Sequence, residues 1–346
     1  MINVRDFGAK GDNAADDTAA FLQAVNASNG EFVYVPPGWY RVSSVTTDKP
    51  IKLVGTGWQT SQIRSLTPDQ DIFTTTSTGQ CFYEKLGFGS DIKRSGGAYV
   101  KFDTAVGSNF GTRISECNFD NGGVGVDFVD AAGWIISGCY FTNYRTAVQI
   151  ANQNMPDAGD STITECIFDA GGPSGVGILQ WSSGGLRVTN NKFLNGDYQY
   201  LGQFDSLSST SILIISGNSF EWASLLNIAL TSRNRTTFSH VVIDGNELSV
   251  SKKATAILVQ DPGYEFLNSA VIGNNIFNLA DEAKGIVLAR GKALTISTNT
   301  FVGNGDNTGI SFMPQIGSAY VLPQNMQFIM TKYAGVNSKV VFPVKP

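Results

Sequence analysis

The chain has 346 residues, of which 24 are basic, 29 are acidic and one is histidine, giving a formal net charge of −5. A hydrophobic content of 42% is enough for a large buried core and excludes a disordered chain. The mild acidity provides no basic surface for phosphates, so we expect no nucleic-acid partner, and the lack of an apolar run of roughly 18 residues predicts no membrane insertion.

The first predicted element is an amphipathic helix at about residues 16–27. Asp16 or Asp17 is suited to the N-cap, and the apolar positions Ala20, Phe21, Ala24 and Val25 fall on one face. The segment FVYVPPGWYRV then predicts a strand, a Pro-Pro-Gly turn and an entry strand. We therefore expect residues 1–50 to form an N-terminal cap that covers the open end of a β-structured core.

A six-residue element repeats along the rest of the chain: an apolar residue, a Ser/Thr-like residue, any residue, Cys or Asn, any residue and an aromatic. The Cys/Asn position recurs at intervals of 22 to 31 residues, about 27 on average. The clearest copies are ISECNF from Ile114, ISGCYF from Ile136, ITECIF from Ile163, VTNNKF from Val188, ISGNSF from Ile215, IGNNIF from Ile272 and ISTNTF from Ile296.

A second short apolar strand precedes most of these copies, for example GVDF at 125–128, AVQI at 147–150 and GILQ at 177–180. Short β-branched strands separated by Gly, Asn and Asp turns, repeated at this period, predict an all-β, single-stranded parallel β-helix. We expect its coils at residues 51–313, followed by a C-terminal cap or tail at 314–346.

Equivalent residues of successive coils should lie about 4.8 Å apart. Stacked Asn side chains can pass hydrogen bonds from coil to coil and tolerate a left-handed turn, and the Phe column should stack in the core. Cys117, Cys139 and Cys166 share the Asn column and are expected to be buried free thiols. With one histidine and no C-x-x-C pair, no metal site and no cofactor are expected.

The stretch VRDFGAKGDNAADDTAAFLQAV, followed by FVYVPPGWYRV, closely resembles the N-terminal signature of pectate-lyase-like right-handed β-helices. That version is common in bacteriophage tailspikes and in bacterial polysaccharide-active enzymes. The resemblance implies a right-handed helix and a carbohydrate substrate, and in the tailspike branch a homotrimer. The signature carries no catalytic residues, so Asp12, Asp16 and Asp17 are interpreted as turn and cap formers.

The sequence differs from two related classes of enzyme in the residues of their catalytic sites. Calcium-dependent pectate lyases use clustered acidic ligands beside an Arg base, a cluster that this sequence lacks. Mannuronan epimerases have a very similar N-terminus but rely on an Asp-Pro-His-type site. The only histidine, His240, lies in FSHVVIDGN without that context, and we interpret it as structural.

Glycoside hydrolysis usually needs two carboxyl groups, whose separation sets the stereochemistry. Glu116 and Glu165 fall in one column, two coils apart, with Gly138 between them. Asp120 and Asp169 repeat the pattern, and Glu221 falls two coils beyond Asp169. Two steps of about 4.8 Å are compatible with an inverting pair, so we predict these five carboxylates as catalytic, against the alternative that they are solvated turn residues.

Aromatic and planar polar side chains cluster in the middle coils, close to the acidic columns. Pyranose rings present an apolar CH face and a rim of hydroxyl groups, which such side chains bind. An insertion at 152–160 is suited to form a groove wall, whereas Trp134 is predicted to be core. The predicted substrate-binding residues are Tyr140, Tyr144, Arg145, Trp181, Tyr198, Trp222, Asp127 and Asp205.

The sequence thus predicts a phage tailspike-type depolymerase that binds and cleaves a bacterial surface polysaccharide, capsule or O-antigen, by hydrolysis. One alternative is a polysaccharide lyase of the same fold, with Tyr, His240 or Arg as the base. The other is a non-catalytic carbohydrate-binding adhesin. The start of the chain lacks the basic and apolar regions of a Sec-type signal peptide, and the expected location is a virion tail or the extracellular space.

Overall fold

The computed structural model describes the greater part of the chain. The described residues are 1–104, 109–150, 160–181, 185–204, 210–232, 238–260, 267–288, 291–303, 306–312, 325–329, 332–334 and 340–341.

The chain winds into coils, each of which contributes one strand to each of three parallel sheets, named A, B and C. Sheet A contains Ile2–Asn3, Val33–Tyr34, Lys52–Val54, Phe82–Glu84, Arg113–Ser115, Ile135–Ser137, Ser161–Thr164, Leu186–Thr189, Thr210–Ser216, Phe238–Asp244, Leu267–Gly273, Gly291–Ser297 and Asn325–Ile329. Sheet B contains Asp12–Asp16, Gly38–Val42, Ser61–Ser65, Gly87–Gly89, Asn118–Asp120, Tyr140–Thr142, Ile167–Asp169, Lys192–Leu194, Ser219–Ala223, Glu247–Val250, Ile276–Leu279, Thr300–Gly303 and Lys332–Ala334.

Sheet C contains Val45–Thr47, Phe73–Thr75, Ala98–Phe102, Val124–Phe128, Thr146–Ile150, Val176–Gln180, Tyr198–Phe204, Leu226–Ser232, Thr255–Val259, Lys284–Leu288, Thr308–Phe312 and Val340–Val341. A small parallel pair, Asn109–Phe110 and Ala131–Ala132, lies between sheets C and A in the chain. Each strand pairs with its equivalent one coil away, so the predicted right-handed parallel β-helix is confirmed.

Two short helices begin the chain, the 3-10 helix Val4–Phe7 and the α-helix Thr18–Ala27. Phe21 of the α-helix is fully buried and contacts the rings of Tyr40 and Phe73, at centroid distances of 5.5 and 5.8 Å. Asp17 occupies the N-cap position, but its carboxylate accepts hydrogen bonds from the backbone N–H groups of Lys10 and Gly11.

The other two N-terminal acidic residues also act on local backbone. The Asp16 carboxylate accepts from the Thr18 backbone N–H at 2.9 Å, and Asp12 accepts from the N–H groups of Ala14 and Ala15. These contacts support the interpretation of the acidic residues in the signature as turn and cap formers.

The core is built from columns that follow the helix axis. On the inner side of sheet B, Phe88, Phe119, Phe141, Phe168, Phe193 and Phe220 stack with ring centroids 4.5 to 4.9 Å apart, and Phe277 stacks on Phe301 in later coils. Trp134, predicted to be core, is fully buried and stacks on Phe128. Offset or parallel ring contacts of this kind add to the burial of apolar area.

The corner between sheets A and B carries a hydrogen-bonded column of Cys and Asn. The Cys139 N–H donates to Cys166 Sγ at 3.4 Å, and the Cys166 N–H donates to Asn191 Oδ1 at 2.9 Å. The column continues with side-chain amides bonded at 3.0 Å, each Nδ2 donating to the next Oδ1. Its asparagines, here called the Asn ladder, are Asn191, Asn218, Asn246, Asn275 and Asn299.

The left-handed residue of this corner is the one before the ladder, not the ladder Asn itself, which corrects one detail of the sequence interpretation. Its φ is positive at Glu116, Gly138, Glu165 and Asn190, for example 50° at Glu116 and 59° at Gly138. The side chain of each ladder Asn instead forms hydrogen bonds with the equivalent Asn of the next coil. Cys81, Cys117, Cys139 and Cys166 are buried free thiols, as predicted.

The coils continue past residue 313, contrary to the expected start of a non-repetitive tail. Asn325–Ile329 pairs in parallel with Gly291–Ser297, and Lys332–Ala334 pairs with Thr300–Gly303. In these pairs Phe328 is in register with Ile296, and Tyr333 is in register with Phe301.

Candidate functional site

The outer face of sheet C carries a polar column in its N-terminal coils. Lys101 pairs with Asp127, and Asp127 pairs with Gln149 in the next coil. The flanking residues Val126 and Phe128 face inward and are fully buried, whereas Asp127 lies on the outer side and is half-buried. The three polar side chains therefore lie one above another at the solvent boundary.

Asp127 has an unusual ionisation. Burial raises its pKa to about 6, an effect that the nearby carboxylates Asp71 and Asp103 reinforce. The Lys101 ammonium and a hydrogen bond from Gln149 Nε2 to Asp127 Oδ1, at 3.2 Å, oppose this shift without cancelling it. A carboxyl group with such a pKa is partly protonated near neutral pH and can donate a proton.

Lys101 links the acidic neighbours of this column. Its Nζ lies 3.3 Å from Asp71 Oδ2 and 3.1 Å from Asp103 Oδ2. Burial alone would lower the pKa of Lys101, but the two carboxylates more than offset that effect and raise it. The second oxygen of Asp71 accepts a hydrogen bond from the Ala98 backbone N–H at 2.8 Å, which fixes that side chain. The site thus holds one proton-bearing carboxyl beside ion-paired carboxylates.

Aromatic and amide side chains continue the same face. Trp181 follows the strand Val176–Gln180 and is half-buried, and its indole Nε1 donates to Gln203 Oε1 at 3.2 Å. Gln203 pairs with Thr231 in the next coil. The Trp181 indole and the amides of Gln149 and Gln203, on the same face of sheet C as Asp127, are side chains suited to the apolar and hydroxyl surfaces of a sugar.

Sequence reasoning assigned Asp127 to substrate binding and did not identify Lys101, Asp71 or Asp103. The signal was present for Lys101, because YVKF at 99–102 aligns with GVDF and AVQI once Val100, Val126 and Val148 are placed in one column. The raised pKa of Asp127 has no sequence signal, since it depends on how deeply the side chain is buried.

The predicted columns of carboxylates exist, but at corners of the coil. Ser115, Ser137 and Thr164 are in register, so Glu116, Gly138 and Glu165 follow them in one turn column, as the spacing predicts. Both glutamates are solvent-exposed and adopt left-handed backbone conformations, with φ of 50° and 56°. Within the described residues, neither glutamate takes part in a salt bridge.

Asp120 and Asp169 are also in the predicted register, with Thr142 between them. Each accepts hydrogen bonds that stabilise the turn after sheet B. Asp120 Oδ1 accepts from Thr142 Oγ1 at 2.8 Å and from Asn143 Nδ2 at 3.0 Å. Asp169 Oδ1 accepts from the Gly171 N–H and from Asn195 Nδ2, both at 2.9 Å.

Glu221 lies two coils beyond Asp169 in the same column, as predicted. Its carboxylate pairs with Lys192 Nζ at 3.1 Å and accepts from Ser219 Oγ at 3.1 Å. It lies on the outer face of sheet B, whereas the column of Asp127 lies on sheet C. The structure therefore does not bring the predicted catalytic residues into one cluster with Asp127.

The predicted substrate-binding residues are dispersed. Tyr144 is only 3% exposed and belongs to the core, so the prediction that it contacts a substrate is wrong. Tyr140 is exposed on the outer face of sheet B, against the Trp58 ring at 5.9 Å. Exposed Arg145 donates to the Ser95 carbonyl at 3.0 Å, and Tyr198 is half-buried on sheet C. Asp205 and most of the 152–160 insertion lie outside the described residues.

His240 pairs with Ile212, which is 42% exposed, so it lies on the outer side of sheet A and is half-buried there. It does not share the outer face of sheet C with Asp127.

In the part of the chain that the structure describes, no group of three His, Cys, Asp or Glu side chains is arranged to hold a metal ion. Within the same residues, no helix has the length and apolar character needed to cross a membrane.

Two family models match the chain. One describes rhamnogalacturonase A and epimerases, pectate lyase-like, and matches residues 1–92; the other describes a right-handed beta helix region and matches residues 104–269. Among curated proteins, the chain is similar to mannuronan C5-epimerase AlgE3 of Azotobacter vinelandii, with 39% identity over 89 residues. It is also similar to alginate lyase 7 of the same organism, with 54% identity over 44 residues. These alignments span 22% and 12% of this chain but only 5% of each relative.

Solved structures share the fold at low sequence identity. PfbA, a surface adhesin of Streptococcus pneumoniae, superposes with a TM-score of 0.62 and 15% identity, over 98% of this chain and 91% of that one. Tailspike protein 2 from Escherichia coli O157:H7 bacteriophage CAB120 gives 0.53 and 13%, over 90% and 42%. The GH87 alpha-1,3-glucanase from Streptomyces thermodiastaticus strain HF3-3 gives 0.50 and 14%, over 98% and 69%.

At sequence identities this low, the structural matches show a shared fold and nothing more. Together with the two family models and the observed coils, they confirm the superfamily that the N-terminal signature resembles. The chain therefore has the right-handed β-helix fold, and the pectate-lyase-like and right-handed beta helix models match it over residues 1–92 and 104–269.

Proposed function

We propose that the chain binds a bacterial surface polysaccharide and cleaves it by glycoside hydrolysis on the outer face of sheet C, with Asp127 as the general acid. The observation that carries the proposal is the pKa of Asp127, raised by burial to about 6. A glycosidic oxygen needs a proton as the bond breaks, and a carboxyl group with a pKa of about 6 is still partly protonated near neutral pH and can supply it.

Asp103 is the second carboxylate of the proposed mechanism. Its carboxylate forms an ion pair with Lys101, and its side chain is 43% exposed, which leaves it accessible to a water molecule. Asp103 is two residues beyond Lys101, the register partner of Asp127, so it lies diagonally across from Asp127. Diagonal neighbours in a sheet are about 7–8 Å apart, within the range of about 6.5–9.5 Å typical of inverting glycosidases.

The surrounding side chains support a sugar as the ligand. Trp181 offers an aromatic surface, and Gln149 and Gln203 offer amides that their contacts with Asp127 and Trp181 hold in place. Several relatives and structural neighbours carry names of polysaccharide-acting enzymes, which supports carbohydrate as the substrate class. The tailspike neighbour supports a phage tail location and a trimer as part of the same proposal.

The test compares the two sets of carboxylates by single amide substitutions. Asp127→Asn and Asp103→Asn should each lower the release of reducing ends by about two or more orders of magnitude, since proton transfer and water activation are lost. Glu165→Gln and Asp169→Asn, from the columns predicted by sequence, serve as matched controls and should retain most activity. Each variant is accepted only if its circular dichroism matches that of the unmodified protein and its melting temperature is not lower.

The outcomes separate the candidate functions. If Asp127→Asn keeps full activity while Glu165→Gln or Asp169→Asn loses activity, the catalytic residues are those of the columns predicted from the sequence. Products with the ultraviolet absorbance of an unsaturated uronate would indicate a lyase. Binding of the polysaccharide without any shortening would leave the non-catalytic adhesin, the function named for the structural neighbour PfbA.

A further inference from the structure

An open cleft lies on the outer face of sheet B in the C-terminal coils, away from the Asp127 site. It has a volume of about 280 Å³ and is lined by Trp222, Ser249, Asn278 and Val302, among others. The sheet C strand that follows Trp222 lies four coils beyond the strand of Asp127. Four strand spacings are roughly 19 Å along the axis, so the cleft is separate from the proposed catalytic face.

Trp222 occupies a backbone position that suits asparagine. The residue at this corner has φ of 58° at Asn121, 51° at Asn143 and 60° at Asn195, and 61° at Trp222. The Asn195 N–H donates to the Glu221 carbonyl at 3.0 Å, which places Trp222 next in the same column. A bulky side chain in the left-handed region is an outlier that costs free energy, and such strain is concentrated at binding and catalytic sites.

A β-bulge places Trp222 beside the cleft. Phe220 pairs with Leu248 and Ala223 pairs with Val250, so Glu221 and Trp222 together oppose a single residue, Ser249. Bulges redirect a side chain, and they are frequent next to functional sites. Trp222 consequently extends into solvent with 60% of its surface exposed, although the neighbouring Phe220 is fully buried.

The lining has the chemistry of a sugar site. Trp222 supplies an aromatic surface, and Val302, which also lines the cleft, is 42% exposed. Asn278 Nδ2 donates to Glu247 Oε1 at 3.1 Å and to Ser249 Oγ at 3.2 Å, which fixes the amide at the edge of this apolar surface. An indole with a fixed amide and a hydroxyl matches the CH face and hydroxyl rim of a pyranose.

We propose that this cleft is a second, non-catalytic glycan-binding site, in which a pyranose unit stacks on Trp222 and hydrogen-bonds to Asn278 and Ser249. The site holds a polysaccharide chain at a point remote from Asp127. It does not depend on the proposed hydrolysis, because a protein that only binds glycans would use it in the same way.

The test measures binding to an array of bacterial capsular and O-antigen polysaccharides. Trp222→Asn places the residue that is usual at this corner, so its melting temperature should equal or exceed that of the unmodified protein. Its affinity for the bound glycan should fall by about tenfold or more, as is common when an exposed anchor Trp is truncated. Phe110→Asn is the matched control, since Phe110 is 65% exposed elsewhere on the surface, and should leave affinity unchanged.

Asn278→Leu removes the amide and leaves Trp222 with its left-handed backbone in place. This variant should also bind the glycan more weakly. Unchanged affinity in Trp222→Asn or in Asn278→Leu, or an unmodified protein that binds no glycan on the array, would overturn the site. If Asp127→Asn remains active while Trp222→Asn loses affinity, the proposed hydrolysis fails and the second site stands.

Discussion

Asp127 shows how burial rather than charge decides the behaviour of a single side chain. A protonated ammonium one coil away and a donated amide hydrogen bond both favour the carboxylate form. The pKa nevertheless rises to about 6, because removal from water outweighs both contacts and two further carboxylates lie nearby. The sign of this balance depends on depth in the folded molecule, which no sequence pattern encodes.

The first prediction at this scale concerns stability against pH. The pKa of Asp127 is higher in the folded state, at about 6, than its ordinary value of 3.8. The folded state therefore binds the proton more tightly, and the resulting stabilisation is complete below about pH 4 and lost as the pH rises through about 6. Asp127→Asn removes this titration, so its melting temperature should rise relative to that of the unmodified protein between pH 4 and pH 7.

Thermal melts at several pH values measure this difference. Asn118→Ala, which changes an uncharged residue on the outer side of sheet B, is the control and should keep the pH dependence of the unmodified protein. A constant offset between Asp127→Asn and the unmodified protein at every pH would contradict a raised pKa for Asp127.

Columns of equivalent side chains from successive coils hold the strands of this fold together. The Asn ladder is a polar column of this kind. Asn218 Oδ1 accepts from the N–H and the side-chain amide of Asn191, and its own amide donates to Asn246 Oδ1 and to the Val188 carbonyl. All these groups are buried, so each unmade bond would carry the full cost of removing a polar group from water.

Asn218→Ala should therefore lower the free energy of unfolding by roughly 2–5 kcal/mol, from unsatisfied buried groups and a cavity. Asn218→Cys is the control that the chain itself offers, because the same column uses Cys139 and Cys166 in earlier coils. Its loss should be smaller, since a thiol fills the space and accepts a weak hydrogen bond. Denaturant unfolding, or the unfolding rate where refolding fails, measures both; equal losses would contradict a hydrogen-bonding role.

The N-terminal helix is the other element with a specific task. Phe21 packs edge-on to Tyr40 and against Phe73, so the helix covers the inner surface of the first coils. Phe21→Ala should destabilise the protein by about 3–5 kcal/mol and increase aggregation by exposing that surface. Leu22→Ala, at a partly buried position of the same helix, is the control with the smaller expected loss. Static light scattering during heating reports both effects.

On the scale of the whole molecule, the periodicity of the sequence predicted nearly all of the architecture. Recurrence of the Cys/Asn position located the coils, because one column of identical side chains requires one coil per repeat. The candidate site was less predictable. The glutamates were placed in the right columns, yet Asp127 lies one coil beyond Lys101 and Asp103, and only the wound chain brings these three side chains together.

A homotrimer remains the expectation for assembly, from the resemblance to tailspikes. Light scattering of the purified protein should then give about three times 37.0 kDa, independent of dilution over the micromolar range. A mass near 37.0 kDa would instead indicate a monomer and weaken the tailspike proposal.

The corners of the coil differ in how much change they tolerate. From Glu84 onward, only two residues separate each sheet A strand from the following sheet B strand, and one of them belongs to the Cys/Asn column. The segments that lead from sheet C back to sheet A are of unequal length, from two residues after Leu288 to twelve after Phe312. Insertions and exchanges of sequence are therefore best tolerated at that third corner, because they leave the register of the three sheets and the spine of the molecule unchanged.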